Sequence, residues 1–228
     1  MTFEDLQKTI GIQFKNVELL KQAFFHRSYL NEARHLTTSN ERLEFLGDAV
    51  LSFLTSSFLY QTYPDYPEGI LTNVRSSLVK TKTLARIATK LELGELLFLS
   101  RGEEDSGGRT NPSLLADTFE ALLGATYLDA GLDGAKQLVT VHLFPEASDI
   151  ITNKSYIDYK SLLQEIIQEQ SRTSPTYRVI KSEGPDHAKT FWVEAVAAGK
   201  PLGEGTGKSK QEAEQAAARQ ALAAMGKL

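Results

Sequence analysis

Cysteine is absent from all 228 residues of the chain. That removes disulfides, thiolate metal sites and cysteine nucleophiles together. Any bound metal is then held by oxygen or imidazole, which favours magnesium, manganese or calcium over structural zinc. Long hydrophobic runs are missing too: apolar residues nowhere continue far enough to span a bilayer, and the first residues, Met-Thr-Phe-Glu-Asp-Leu-Gln-Lys, show no basic segment leading into an apolar stretch. The expectation is a soluble, cytoplasmic protein with no membrane partner. A strong excess of either charge is lacking as well. The formal net charge is −4 and the pI about 5.7, which argues against indiscriminate nucleic-acid binding, because phosphate affinity rests largely on Lys and Arg. There is no internal repeat or low-complexity tract.

What is present is material for a core, with 41% apolar side chains, enough for one large domain or an ordinary domain plus a small one. Charge is unevenly divided: residues 1–157 carry 15 basic and 20 acidic side chains, residues 158–228 carry 10 and 9. The near-neutral second part can still bind a polyanion if its lysines cluster on one surface.

Apolar steps of three and four through residues 3–142 predict an all-α domain over 1–146. Helices are expected from about Asn40 past Tyr60, from Glu68 or Leu71 through Lys80, over Lys82–Leu91, and from Pro112 to Ala130. Gly131 then stands as a C′ residue, with a further short helix from Asp133 to Phe144-Pro145. Residues Ser100–Thr110 read as a polar, glycine-rich loop. Amphipathicity fades after Glu146, so an interdomain linker is expected over 147–157. A small α+β domain over 158–228 follows in the order α-β-β-β-α, with a helix over Tyr159–Gln170. Its strands fall near Thr176–Glu183, Thr190–Ala198 and Pro201–Gly205, and an alanine-rich helix covers Ser209–Met225.

Chemistry concentrates in two of these helices. In Asn40-Glu-Arg-Leu-Glu-Phe-Leu-Gly-Asp-Ala-Val-Leu51, Glu41, Glu44 and Asp48 share one face of an otherwise apolar helix, and Asp117-Thr-Phe-Glu120 repeats the theme. Packed together, with Gly47 and Gly124 allowing close approach, the helices would gather Glu44, Asp48, Asp117 and Glu120 around a divalent cation with hard oxygen ligands, Mg²⁺ above all and Mn²⁺ as its substitute. A solvated acidic face is the plainer reading of either helix alone. Glu41 also fits a capping box, Thr38-Ser-Asn-Glu41. A di-iron bundle needs two Glu-x-x-His pairs, and the sequence has one, Glu32-Ala-Arg-His35. Gly203-Glu-Gly-Thr-Gly207-Lys208-Ser209 lacks phosphate-loop spacing and reads as a strand end presenting amides and lysines at a helix start.

Asn40–Leu51 resembles the signature segment of bacterial ribonuclease III, and Leu115-Ala-Asp117-Thr-Phe-Glu120-Ala-Leu-Leu-Gly124 resembles that family's second acidic motif. The C-terminal part is similar to the double-stranded RNA-binding domain of the same family, so the resemblance spans the chain. It implies a magnesium-dependent endonuclease for double-stranded RNA that leaves 5′-phosphate and 3′-hydroxyl ends with short 3′ overhangs. Glu44, Asp48, Asp117 and Glu120 would be its metal ligands, and Asp48 and Glu120 its catalytic residues. Glu41 and Glu68 match supporting acids, with a cap and a favourable first-turn charge as their structural alternatives.

The resemblance further implies a homodimer, with Phe45 lodged in a partner's cavity; ordinary core is the alternative for Phe45. RNA contacts carry over to Gln164 and Glu165 on the first helix of the second domain. They carry over also to His187 in the loop Gly184-Pro-Asp-His-Ala-Lys189, and to Lys208 and Lys210 at the start of the last helix. Tyr159 departs from the proline common at its position. A protein that holds double-stranded RNA without cutting it is the rival reading, and the four intact acids weigh against it.

Overall fold

Apolar steps of three and four build the first part of the chain as expected, in helices α1 (Phe3–Ile10), α2 (Val17–Gln22), α3 (Glu41–Thr62), α4 (Glu68–Val79), α5 (Thr81–Lys90), α6 (Arg101–Asp105), α7 (Pro112–His142) and α8 (Pro145–Thr152). The computed structural model describes residues 1–33, 36–185 and 188–228 and divides into two units, Met1–Tyr156 and Ile157–Leu228. At the centre of the first unit α3 crosses α7, with Leu43, Val50, Leu51 and Leu54 facing Phe119, Leu122, Leu123 and Ala125 inside one core. Helix α7 starts on an Asn111 cap and Pro112, and its regular path breaks at Gly131 (φ 71°), where the sequence predicted one helix to end and another to begin.

Two expectations are corrected here. The glycine-rich segment after Leu99 is not an open loop: Ser100 caps α6, accepting from the Glu103 N–H at 3.3 Å, and Gly108–Thr110 forms a 3₁₀ turn. What holds it is distant in sequence. Arg109 donates from Nη1 to the carbonyls of Gly94 and Leu97, both at 2.9 Å, and its Nε pairs with Glu104 at 2.7 Å. The stretch read as a linker from residue 147 contains most of α8, whose Ala147 and Ile150 belong to the first core. Glu146, nearly buried, receives both Arg86 and Lys90 of α5 and fastens that helix in place.

Helix α3 is long and apolar enough, by length and composition, to cross a membrane, contrary to the sequence expectation that no stretch is. Leu43, Val50, Leu51, Leu54 and Leu59 of this helix serve the core, Phe45, Phe53 and Tyr60 are exposed, and Glu41, Glu44 and Asp48 occupy its first turns.

In the second unit α9 (Tyr159–Ser171) and α10 (Lys210–Ala224) cover one face of an antiparallel sheet ordered β1 (Thr176–Glu183), β2 (Thr190–Ala197), β3 (Lys200–Gly207). Val193, Ala195 and Ala197 of β2 point into a core completed by Leu163, Ile167 and the alanines of α10. Strand β3 runs two residues beyond its expected end, for a steric reason. A Cβ on Gly203, Gly205 or Gly207 would stand 2.6, 2.1 or 2.5 Å from backbone nitrogens of α10. The alternating glycines are therefore the surface on which an alanine helix lies against the strand, not the end of that strand.

Candidate active site and nucleic-acid interface

The site is set by how closely α3 and α7 approach. A Cβ on Gly47 would fall 1.8 Å from the Glu120 carbonyl oxygen, and one on Gly124 would fall 2.2 Å from that of Leu43. Backbone touches backbone at this crossing, which brings the acids one turn away on each helix into register. Carboxylate oxygens of Glu44, Asp117 and Glu120 all lie within 4.8 Å of one another. Asp48 stands one turn beyond Glu44, more exposed and outside that close triad. No hydrogen bond or ion pair from a described residue engages any of these four side chains.

Unpaired and partly buried, Glu44, Asp117 and Glu120 bind their protons more tightly than free carboxylates do. Burial pushes Glu120 up to about 8, helped by the charges of Asp48, Asp117 and Glu44. Burial, then Asp117, Glu41 and Asp48, raise Glu44. Asp117 is raised by burial, while the neighbouring His26 imidazole pulls it down again. Three converging, half-buried carboxylates suit a hard divalent cation, which would displace those protons.

A raised carboxylate also fixes a sign. Between the ordinary value of 4.5 and about 8 the folded chain keeps a proton on Glu120 that the unfolded chain has released, so this contribution to stability is lost as pH rises through that window. Thermal melts in chelator should show the protein losing stability from pH 5 to 8.5, with Glu120→Gln flattening the slope. Parallel slopes for the two proteins would contradict the assignment.

The other sequence-derived acids lie apart. Glu41 sits at the mouth of the same pocket, but the Thr38 capping box does not form: Ser39 Oγ donates to Glu41 at 2.7 Å, and Arg27 approaches it at 3.9 Å. Asn40, buried, is committed elsewhere, donating from its backbone to Phe25 and from Nδ2 to Ala23. Glu68 accepts from Thr72 at 2.9 Å and lines a separate groove with Phe53, Tyr60 and Arg75, so the structure does not bring it to the triad. Phe45 is 80% exposed beside an apolar cavity of about 630 Å³ lined by Leu19, Leu43, Leu46 and Leu128, which removes the core reading.

In the second unit Gln164 and Glu165 are exposed on α9, and Lys208 and Lys210 flank the Ser209 cap of α10, exposed and without ion pairs among the described residues. His187 lies outside the described residues, as does His35 of the isolated Glu-x-x-His pair. The departure at Tyr159 has a cause: its N–H donates to Gln215 at 2.9 Å, a bond proline cannot make, while Asp158 caps the helix. The site residue that sequence reasoning missed is His26, which lines the acid pocket; its signal was the spacing His26-Arg-Ser28.

An acid-lined crossing of two helices, followed by an α-β-β-β-α unit, defines a two-module nucleic-acid enzyme. Residues 16–147 match the family described as Ribonuclease-III-like, and residues 159–225 match the double-stranded RNA binding motif. The chain is 46% identical to Ribonuclease 3 of Dehalococcoides mccartyi over 219 residues, covering 96% of this chain and 92% of that protein. It is 45% identical to the same enzyme of Oceanobacillus iheyensis over 223 residues, covering 97% of each. The nuclease domain of the Campylobacter jejuni enzyme, described for flexibility in the region of its dimer formation, superposes with a TM-score of 0.59 at 37% identity, covering 63% of this chain and 99% of that one. The chain belongs to the ribonuclease III family: it is an endoribonuclease whose C-terminal unit is a double-stranded RNA-binding domain.

Proposed function

We propose that the chain is a magnesium-dependent ribonuclease that hydrolyses phosphodiesters in double-stranded RNA, leaving 5′-phosphate and 3′-hydroxyl ends with short 3′ overhangs, and that it processes ribosomal and other structured RNAs in the cytoplasm. The observation that carries this reading is the convergence of Glu44, Asp117 and Glu120 within 4.8 Å at a crossing where backbone meets backbone. Glu44, Asp48, Asp117 and Glu120 are assigned as the residues that hold Mg²⁺, or Mn²⁺ in its place, with Asp48 and Glu120 as catalytic residues. When bound, such an ion supplies a water nucleophile at neutral pH and stabilises the leaving 3′ oxygen. The helix crossing brings the ligands together, and Glu120, whose carboxyl burial pushes up to about 8, would have to release its proton for the ion to be held. Glu41 and Glu68 are kept as supporting acids.

Duplex recognition is assigned to the second unit. Gln164 and Glu165 face the minor groove, His187 the next one, and Lys208 and Lys210 meet phosphates across the intervening major groove, where helix amides add to their charge. This reads A-form shape more than sequence. The full chain with a long RNA duplex tests the whole proposal: Mg²⁺ and Mn²⁺ should shorten the duplex, and Ca²⁺ should not. Failure of Mg²⁺ to do so would sink it.

The working form is a homodimer. Phe45 and the apolar cavity beside it lie on one surface, and a two-fold interface needs knob and socket on the same patch. Phe45→Ala is expected to weaken self-association at least tenfold in sedimentation, since a fully buried phenylalanine contributes roughly 1.5–3 kcal/mol. An unchanged dimer would free Phe45 of this role.

A further inference from the structure

His26 is held in place on every side but one. Its backbone N–H donates to Phe98 at 3.2 Å, next to the bridge between Phe25 and Phe98, and the Phe25 carbonyl accepts from Asn40 at the head of α3. The ring caps the Arg27–Asn31 turn: its Nδ1 lies 3.3 Å from the Ser28 N–H and 2.8 Å from Ser28 Oγ. An amide can only donate, so Nδ1 accepts. Ser28 Oγ itself accepts from the Ser100 N–H at 3.0 Å, which leaves its own proton for Nδ1. The relay Ser100 to Ser28 to His26 therefore places the ring proton on Nε2, and a doubly protonated ring would set two donors against each other.

That Nε2–H makes no hydrogen bond among the described residues, and its ring lines a pocket of about 310 Å³ with Glu41, Glu44 and Asp117. Arg27, the other basic side chain there, is turned to Glu41. Among the three converging carboxylates, Asp117 alone has a neighbour that moderates the effect of its burial, and that neighbour is His26. Carboxylates that ligate a metal through one oxygen need a donor on the other to hold their orientation.

We infer that His26 is a positioning residue of the acid cluster, whose uncommitted Nε2–H takes up the Asp117 carboxylate and orients it when a divalent cation occupies the cluster. The inference rests on the reading that the cluster binds such an ion. Glutamine can present a donor near the place of Nε2, whereas asparagine reproduces Nδ1 and its cap but withdraws the outer donor. The two roles of the ring are thereby separable.

The experiment measures Mn²⁺ affinity of the full chain by electron paramagnetic resonance without RNA, with thermal melts alongside. Wild-type protein should bind Mn²⁺ and Asp117→Asn should not; if the two behave alike, it is the metal reading that fails, and this inference with it. Given that difference, His26→Asn should lower the affinity by roughly 10- to 100-fold, the usual range for a ligand's outer partner, with its melt unchanged. His26→Gln should keep the affinity within a few-fold while its melting temperature falls through loss of the cap. Wild-type affinity in His26→Asn, or equal loss in both variants, overturns the assignment. Should His26→Gln fail to fold, His26→Asn decides alone: lowered affinity with an unchanged melt supports the inference, and wild-type affinity overturns it.

Discussion

Glu120→Gln should reduce cleavage of an RNA duplex by at least about 10²-fold while leaving duplex affinity within a few-fold of wild type. The lower bound follows because losing even an outer partner of a metal ligand costs 10–100-fold. The variant also removes the group whose proton affinity burial raises most, up to about 8. Its side chain keeps the shape of the pocket and loses the charge that a cation requires. Duplex affinity is spared because the exposed Gln164, Glu165, Lys208 and Lys210 belong to a unit with its own core. Gel shifts in Ca²⁺ beside cleavage assays in Mg²⁺ separate the two effects, and equal loss of both would show that binding and cutting are not divided as assigned.

Gly47→Ala is expected to lose both stability and metal binding. Its new methyl carbon would sit 1.8 Å from the carbonyl oxygen of Glu120, a contact that no rotamer relieves because both atoms are backbone-fixed. Overpacking costs typically 1–3 kcal/mol, and a collision with backbone belongs at or above the upper end, about 3 kcal/mol. The helices must separate at the residue that carries a ligand, so the triad opens as well. Gly69→Ala is the control, since its Cβ meets nothing within 4 Å at the start of α4. Urea midpoints and Mn²⁺ affinity report the two losses; wild-type values for Gly47→Ala would mean the crossing is softer than drawn.

The acid pairs were legible because their spacing is local: Glu44 with Asp48, and Asp117 with Glu120, each follow from one helix, and Gly47 and Gly124 mark the contact between the two. The unequal standing of Asp48 was not legible. It depends on the rotation of α3 against α7, which no single-helix pattern encodes. Segments tied down from afar were misread for the same reason. Helix α6 owes its order to Arg109 reaching the carbonyls of Gly94 and Leu97, and α8 its place to Glu146 meeting Arg86 and Lys90. His26 escaped notice because the local spacing to Ser28 gains its meaning only from Ser100 and Asp117, which folding brings to it. The strands of the second unit were legible by alternation. The extent of β3 was hidden because glycines carry no hydropathy signal, though their two-residue spacing recorded the face that α10 covers.

That glycine and alanine face makes the RNA-binding unit fragile to random mutation in a particular way. Ala213, Ala217, Ala218 and Ala221 are fully buried, and nearly every amino-acid replacement reachable by one nucleotide change at an alanine or glycine codon makes the side chain larger. Each enlargement costs about 1–3 kcal/mol in a unit whose whole stability is on the order of 4–11 kcal/mol at 0.05–0.15 kcal/mol per residue. A genetic screen for chains that no longer hold duplex RNA would accordingly return more substitutions beneath α10 than among the side chains that touch RNA.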